Sequence, residues 1–210
     1  SFGIGFSTAI TPLIAESDAL KDNNKTKSIL SNGIIICSIL GFILTVLVLI
    51  SKPIIYYMGQ PEIVVTLAYP YISLVAISLF PLIIFQSFKQ FSDGLSFTKI
   101  AMISTVIANI INVVLNYILI YGKFGFPRLE LVGAGIGTLI SRFIMVIIII
   151  YLIKSNPKIN QYIDKLFNLK YSSKIINKIV NLGYPSALQM MFEVGSVSYT
   201  HLTLPTSSRV

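Results

Sequence analysis

Two charged residues and a stripe of amides lie in stretches of sequence that are otherwise apolar. Glu193 follows the run "LQMMF", and Arg142 lies well inside another apolar stretch. A charge at the centre of a bilayer costs at least ~2.5–3.5 kcal/mol, so such residues pair, reach an interface or take part in transport. A carboxylate in this setting can hold a proton or a sodium ion and exchange it for cargo, which is the chemistry that we predict for Glu193. The alternative for Glu193 is a structural pair with Arg142 or with a helix end.

Asn109, Asn112 and Asn116 form a second candidate group. Spacings of three and four residues place their side chains on one helical face. An amide in hydrocarbon must find hydrogen-bond partners, so this face meets other helices or water. The stripe either holds helices together or forms the wall of a cavity that contacts substrate or coupling ion. Gln86 is a further cavity candidate, whereas we expect Arg142 to be structural, reaching the outer interface or binding backbone carbonyls.

The elements that position these residues are membrane-spanning helices. The chain has 210 residues, of which 54% are hydrophobic and 11% charged, against about 25% charged in soluble domains. A bilayer core of about 30 Å requires about 20 consecutive apolar residues in a helix. Four segments meet this requirement: residues 29–50, 63–88, 100–121 and 131–153. The predicted fold class is therefore an all-α polytopic membrane protein, with close helix packing expected at the glycines that open the fourth segment, Gly133, Gly135 and Gly137.

Basic residues alternate between the loops and predict the orientation. One set of alternate loops carries most of them: Lys21, Lys25, Lys27, Lys89, Lys99, Lys154, Lys158, Lys165, Lys170, Lys174 and Lys178. The other set carries only Lys52, Lys123 and Arg128. The basic side is expected to be cytoplasmic. Because topology accounts for the net charge of +8, we expect no nucleic-acid partner.

The chain divides into four parts by hydrophobicity. Residues 1–153 hold the four predicted spans and the fragment before them, and residues 154–174 are a cytoplasmic linker. Within the linker, Ile159, Tyr162, Ile163, Leu166 and Phe167 have helical spacing. This predicts either a helix on the inner leaflet or a plain solvated linker. Residues 175–195 begin another span, and residues 196–210 lose hydrophobicity and resemble translated adapter sequence, so we expect this tail, which holds His201, to be non-native.

Four stretches give the sequence a family resemblance: "FGIGFSTAITPLIAESDALKD", "PEIVVTLAYPYISLVAISLFPLIIFQSFKQFSDGLSFTK", "NVVLNYILIYGKFGFPRLELVGAGIGTLISR" and "GYPSALQMMFEVG". The chain resembles the multidrug and toxic compound extrusion (MATE) family of cation-coupled efflux transporters. The resemblance implies two six-helix lobes around a central cavity, of which this chain supplies the end of the second span to the start of the seventh. That is a partial MATE-like bundle, most of the amino-terminal lobe, and a fragment that we expect not to transport alone.

The resemblance also implies functions for single residues. Glu193 matches the acidic residue of the seventh span, which implies cation binding or proton coupling. Asn112 and Asn116 match polar positions of the fifth span, which lines the cavity of the first lobe. Some relatives have Asp at the position of Asn116, and a neutral amide cannot titrate, so proton coupling through this lobe does not follow.

The expected function is export of organic, often cationic, compounds, driven by Na⁺ or H⁺ moving inward. The expected partners are small organic substrates and the lipid bilayer, and the full-length protein is expected to be a monomer in a prokaryotic inner (plasma) membrane. A lipid-linked oligosaccharide flippase of the same superfamily is the alternative. It should line its cavity with several cations to hold pyrophosphate, and only Arg142 is available in the sequence. Since one His and scattered acids form no catalytic cluster, we expect no enzyme, no metal site and no cofactor besides the coupling ion.

Overall fold

The fold is described by a computed structural model that covers residues 1–58, 61–163 and 171–203, with side chains for all of these except Met58 and residues 198–203. These residues form eight α-helices and one 3₁₀ segment. They are α1 (Phe2–Ser7), α2 (Ile10–Ala19), α3 (Asn23–Ser51), the 3₁₀ segment Lys52–Met58, α4 (Glu62–Gly94), α5 (Thr98–Tyr121), α6 (Glu130–Ser155), α7 (Pro157–Ile163) and α8 (Ser173–Thr203).

Within the described part of the chain, four helical segments are long and apolar enough to cross a membrane. They comprise Asn23–Tyr57 with 35 residues, Glu62–Gly94 with 33, Thr98–Tyr121 with 24 and Glu130–Ser155 with 26. Each contains one of the four predicted spans. The predicted all-α polytopic fold is therefore confirmed.

Helix boundaries follow from local chemistry. The carboxylate of Asp22 caps α3 by accepting a 3.0 Å hydrogen bond from the backbone N–H of Lys25, as expected of an N-cap. Between α1 and α2, the break at Thr8 lies four residues before Pro12, where a proline ring clashes with the preceding turn. Helix α5 ends at Gly122, whose φ of 66° is left-handed. A Cβ there would lie 2.8 Å from the backbone nitrogen of Arg128, so glycine allows both the turn and the close approach.

Helix α4 lies at the centre of the bundle and packs against α3, α5 and α6, and α6 also packs along α5. The glycines at the start of α6 permit this approach, because a Cβ on Gly133 would lie 2.7 Å from the Leu119 carbonyl and one on Gly135 would lie 2.8 Å from Leu74. The predicted close packing through these glycines is confirmed. Helix α8 packs mainly along α1, where Gly5 lies against Ala187.

The linker is not a separate solvated or lipid-bound segment where the structure describes it. Helix α7 buries Ile159, Tyr162 and Ile163 in the core, and the Tyr162 ring makes an edge contact with Phe91 at 6.0 Å between centroids. The helical spacing was interpreted correctly, but both predicted environments were wrong, because spacing identifies an apolar face without identifying what covers it. Leu166 and Phe167 lie outside the described residues.

Helix α8 continues past Gly195 to Thr203, so the predicted loss of hydrophobicity does not end the helix. Residues 204–210 and the side chain of His201 lie outside what the structure describes. The native or non-native character of residues 196–210 stays a prediction.

Candidate functional site: a polar cavity between three spans

Helices α4, α5 and α6 line a half-open cavity of about 410 Å³. Each helix contributes one stripe of side chains at helical spacing. The lining residues are Leu82, Phe85, Gln86 and Lys89 of α4; Thr105, Ala108, Asn109 and Asn112 of α5; and Thr138, Ser141, Arg142 and Met145 of α6. Since spacings of three and four residues share a helical face, the three stripes converge on one space between the helices.

Arg142 lies near the middle of its predicted span, whereas Lys89 and Thr105 lie closer to the predicted cytoplasmic ends of theirs. Arg142 is twelve residues after Glu130, the first residue of α6, which is about 18 Å along the helix at 1.5 Å per residue. A hydrocarbon core is about 30 Å thick. Arg142 is therefore expected at a depth where lipid offers no hydrogen bonds.

The asparagine stripe connects α5 to α6. Asn112 Nδ2 donates a 3.1 Å hydrogen bond to Ser141 Oγ, and Ser141 Oγ donates to the Thr138 carbonyl at 2.9 Å. Asn116 Nδ2 donates to Asn112 Oδ1 at 3.2 Å. Asn109 and Asn112 line the cavity, whereas Asn116 lies beside it with its Oδ1 against Gly137. The stripe thus combines both predicted environments, helix contact and cavity wall.

Arg142 lies in the cavity wall and contacts α4. Its Nη1 donates a 2.6 Å hydrogen bond to Ser78 Oγ, and Ser78 Oγ donates to the Val75 carbonyl at 2.7 Å. Arg142 forms no ion pair within the described part of the chain. Among the described residues, one neutral hydroxyl therefore accepts from this guanidinium.

Gln86 and Lys89 complete the α4 side of the cavity. Gln86 Oε1 is buried and has no hydrogen-bond partner among the described residues. Lys89 Nζ lies 2.8 Å from Asp93 Oδ2, and both residues line a neighbouring depression of about 370 Å³ next to Thr105. The expectation that Arg142 is the only cation available to the cavity was wrong. Lys89 was counted as a loop charge, but α4 extends to Gly94 and brings Lys89 onto the cavity face.

Glu193 lies away from this cavity. Helix α8 packs on α1, α2 and α3, and the Glu193 side chain is exposed on the described bundle. Within the described residues its carboxylate forms neither a hydrogen bond nor an ion pair, with Arg142 or with any other group. The structure therefore does not bring Glu193 together with the asparagine stripe.

A second charged cluster lies at the predicted cytoplasmic end. Glu16 accepts 2.9 Å hydrogen bonds from Lys25 Nζ and Lys178 Nζ. The Lys25 hydrogen bond, followed by that from Lys178, lowers the pKa of the Glu16 carboxyl to about 2. From the sequence, these lysines contributed only to the predicted orientation. The contact between Glu16 and Lys178 was not predicted, because residues separated by 162 positions leave no local pattern.

Comparison with known proteins identifies the family. Residues 1–118 match the MatE family model, which is more than half of the chain. The chain belongs to the MATE family. The helices of the matched region, from α1 through most of α5, include two walls of the cavity.

Relatives of this MATE chain extend the likeness beyond the matched region. It is 29% identical to the Vibrio cholerae multidrug resistance protein NorM over 92% of the chain and 42% of that protein. It is also 29% identical to the probable multidrug resistance protein NorM of Listeria monocytogenes, over 92% of the chain and 43% of the relative. A solved structure described as MATE in the bent conformation aligns with a TM-score of 0.79 and 25% identity, over 90% of the MATE chain and 42% of the other. The chain therefore spans less than half the length of the relatives that it matches.

Four polar lining residues of this MATE chain were not predicted from the sequence: Lys89, Thr105, Thr138 and Ser141. A usable signal was present, since Lys89 follows Gln86 by three residues, Thr105 precedes Asn109 by four and Thr138 precedes Arg142 by four. Extending each candidate by one helical turn along its own face would have found three of the four.

Proposed function

We propose that the whole protein is a multidrug efflux transporter of a prokaryotic plasma membrane, in which Na⁺ or H⁺ moving inward drives export of organic compounds. The observation that carries this proposal is the convergence of three polar stripes on one cavity between three predicted spans. A static anchor has no need of such a lining, because each polar group costs free energy there unless it is satisfied. The relatives named multidrug resistance protein NorM support the same function.

The cavity is large enough for part of a drug-sized compound. Small-molecule sites occupy about 300–1,000 Å³ and combine apolar walls with a few placed polar groups. Leu82, Phe85 and Met145 supply apolar wall, and the amides and hydroxyls supply hydrogen bonds. The proposed cargo is accordingly a bulky organic molecule that is partly apolar.

Glu193 is the proposed coupling residue. The support is its acidic side chain on α8, with no ion-pair partner among the described residues, in an apolar sequence. Such a carboxylate can bind a cation or proton directly. Since it lies away from the cavity, ion and cargo are proposed to use different sites, and coupling follows from their effects on a shared conformational equilibrium.

The test is efflux of the fluorescent dye rhodamine B from cells that express the full-length gene. Glu193→Gln is expected to abolish gradient-dependent efflux while the protein level is kept, because an amide cannot exchange a proton and loses the charge that attracts Na⁺. Glu62→Gln is the matched control, since Glu62 is an exposed carboxylate at the first residue of α4, and efflux should persist. Unchanged efflux in Glu193→Gln would exclude the coupling role.

The same cells identify the coupling ion. Replacement of Na⁺ by another monovalent cation should stop efflux if Na⁺ drives it, and a protonophore should stop it if H⁺ does. Efflux that survives both treatments contradicts ion coupling.

A further inference from the structure

We infer that the cavity between α4, α5 and α6 binds an oxyanion, such as the carboxylate of an organic cargo molecule, and that Arg142 recognises it. The oxyanion site is formed by the described residues. The claim that its ligand is an exported compound rests on the proposed function. The inference assigns to this chain a substrate charge opposite to the cationic one that its family resemblance implies.

The charges on the described cavity wall do not balance. Two lining side chains are cationic, Arg142 and Lys89, and the lining residues include no carboxylate. Lys89 is paired with Asp93 at 2.8 Å, so its charge is largely compensated. Arg142 has no compensating carboxylate in the part of the chain that the structure describes. The described wall therefore carries one uncompensated positive charge.

Arg142 has N–H donors that the described residues leave unused. A guanidinium has five N–H donors, and the described residues accept one hydrogen bond from it, through Ser78 Oγ. A purely structural arginine at this depth would be expected to satisfy several donors with carbonyls, because unsatisfied donors are costly in hydrocarbon. The remaining donors are available to a ligand or to water in the cavity.

Ser78 holds the guanidinium of Arg142 on one side. Ser78 is fully buried and donates its own proton to the Val75 carbonyl, so its oxygen is oriented to accept from Arg142. This contact fixes one edge of the guanidinium against α4. Two parallel hydrogen bonds from another edge match the two oxygens of a carboxylate, which is the strongest neutralising geometry for arginine.

The neutral residues around Arg142 suit an anion as well. Asn109 provides an amide on the facing wall, and the neighbouring Thr105, whose hydroxyl donates to the Ala101 carbonyl at 2.9 Å, adds no negative charge that would repel the anion. Gln86 has a buried carboxamide with an unpartnered oxygen, and rotation of that amide presents its NH₂ group instead. A cationic ligand would meet the uncompensated guanidinium and no opposing charge from these residues.

The test uses two dyes that differ in one group. Rhodamine B has a free carboxylate, and its ethyl ester has the same fluorophore without that charge. Binding to the purified full-length protein is measured by fluorescence anisotropy without any ion gradient. We expect tighter binding of rhodamine B, and we expect Arg142→Gln to reduce the ratio of the two affinities about tenfold, a change equivalent to ~1.4 kcal/mol.

Two variants serve as controls. Arg142→Lys keeps the charge and should retain part of the preference for rhodamine B. Lys123→Gln removes one positive charge from an exposed position between α5 and α6, outside the cavity, and should leave the ratio unchanged. An equal weakening of both dyes by Arg142→Gln would assign a structural role to Arg142 and overturn the inference, as would a wild-type preference for the ester.

A measurement on the wild-type protein alone keeps the inference testable if Arg142→Gln does not fold. Displacement of rhodamine B by 2-naphthoate but not by a naphthyl trimethylammonium ion supports the oxyanion site, and the reverse order overturns it. An isoprenoid pyrophosphate is added as a third competitor. If the pyrophosphate displaces the dye at a far lower concentration than naphthoate does, the natural oxyanion belongs to a lipid. That result supports the oxyanion site and contradicts drug export. Oxyanion binding without any ion-driven efflux likewise retains the site and rejects the proposed function.

Discussion

Lys178 Nζ lies 2.9 Å from Glu16 Oε2 and joins α8 to α2 through an exposed ion pair. Glu16 is also 2.9 Å from Lys25 of α3, so one carboxylate connects three helices. In a MATE protein, α2 is expected to belong to the first lobe and α8 to the second. These ion pairs therefore connect the two predicted lobes at their predicted cytoplasmic end.

Loss of the Glu16 carboxylate is expected to loosen this connection. In Glu16→Gln, spin labels at the exposed positions Ala19 and Asn181 should show a broader and longer distance distribution in the full-length protein. Asp18→Asn is the matched control, because Asp18 is an exposed acid of the same helix without an ion pair among the described residues. An identical distribution in Glu16→Gln and wild type would contradict the role of this pair.

The same connection should tolerate mild acid. The folded pKa of Glu16 is about 2, below the value of about 4.3 expected in an unfolded chain. A carboxylate with a lowered pKa contributes stability that is present above its unfolded value and is lost as pH falls through the folded value. The label distances should therefore not change between pH 8 and pH 5. Broadening in that range would mean that another group controls the contact.

The Asn112–Ser141 hydrogen bond is expected to couple α5 to α6 energetically. A double-mutant cycle with Asn112→Ala and Ser141→Ala should give a coupling free energy of about 0.6 kcal/mol, the average for such bonds in membranes. The measurement is the free energy of unfolding of each variant in bicelles. If the losses of unfolding free energy in the two single variants add up to the loss in the double variant, the bond makes no net contribution to stability.

Gly137 is expected to resist substitution because Asn116 lies against it. A Cβ at Gly137 would overlap Asn116 Oδ1, so Gly137→Ala should lower the free energy of unfolding by about 1–3 kcal/mol. Adding Asn116→Ala should restore most of that loss, because it removes the overlapping atom. Gly195→Ala is the control, since nothing lies within 4 Å of a Cβ there. Failure of the second substitution to rescue would place the strain elsewhere.

The predicted orientation can be measured by labelling. In right-side-out vesicles, a membrane-impermeant maleimide should label Phe124→Cys, because Phe124 is 85% exposed and lies in a predicted outer loop. Leu20→Cys, at a 67% exposed position in a predicted cytoplasmic loop, should be labelled only after permeabilisation. The opposite pattern would invert the topology.

The sequence predicted the four spans well because an apolar run long enough to cross a bilayer rarely occurs in a soluble protein. It also placed Asn109, Asn112 and Asn116 on one face, because helical periodicity is local. Lys89 was misassigned because the charge rule treats a lysine near a span end as a loop residue, although its helix continues. The burial of α7 and the separation of Glu193 from the asparagine stripe depend on how helices pack laterally, which periodicity does not encode.

The central claim is that an ion gradient drives organic compounds through the full-length protein. Its most direct test is dye movement in proteoliposomes that contain the purified full-length protein, with a Na⁺ or H⁺ gradient imposed across the membrane. The account predicts uphill dye transport that depends on one of the two gradients, that is lost in Glu193→Gln and that is retained in Glu62→Gln. Dye movement that is equally fast without any gradient, or that persists in Glu193→Gln, would contradict it.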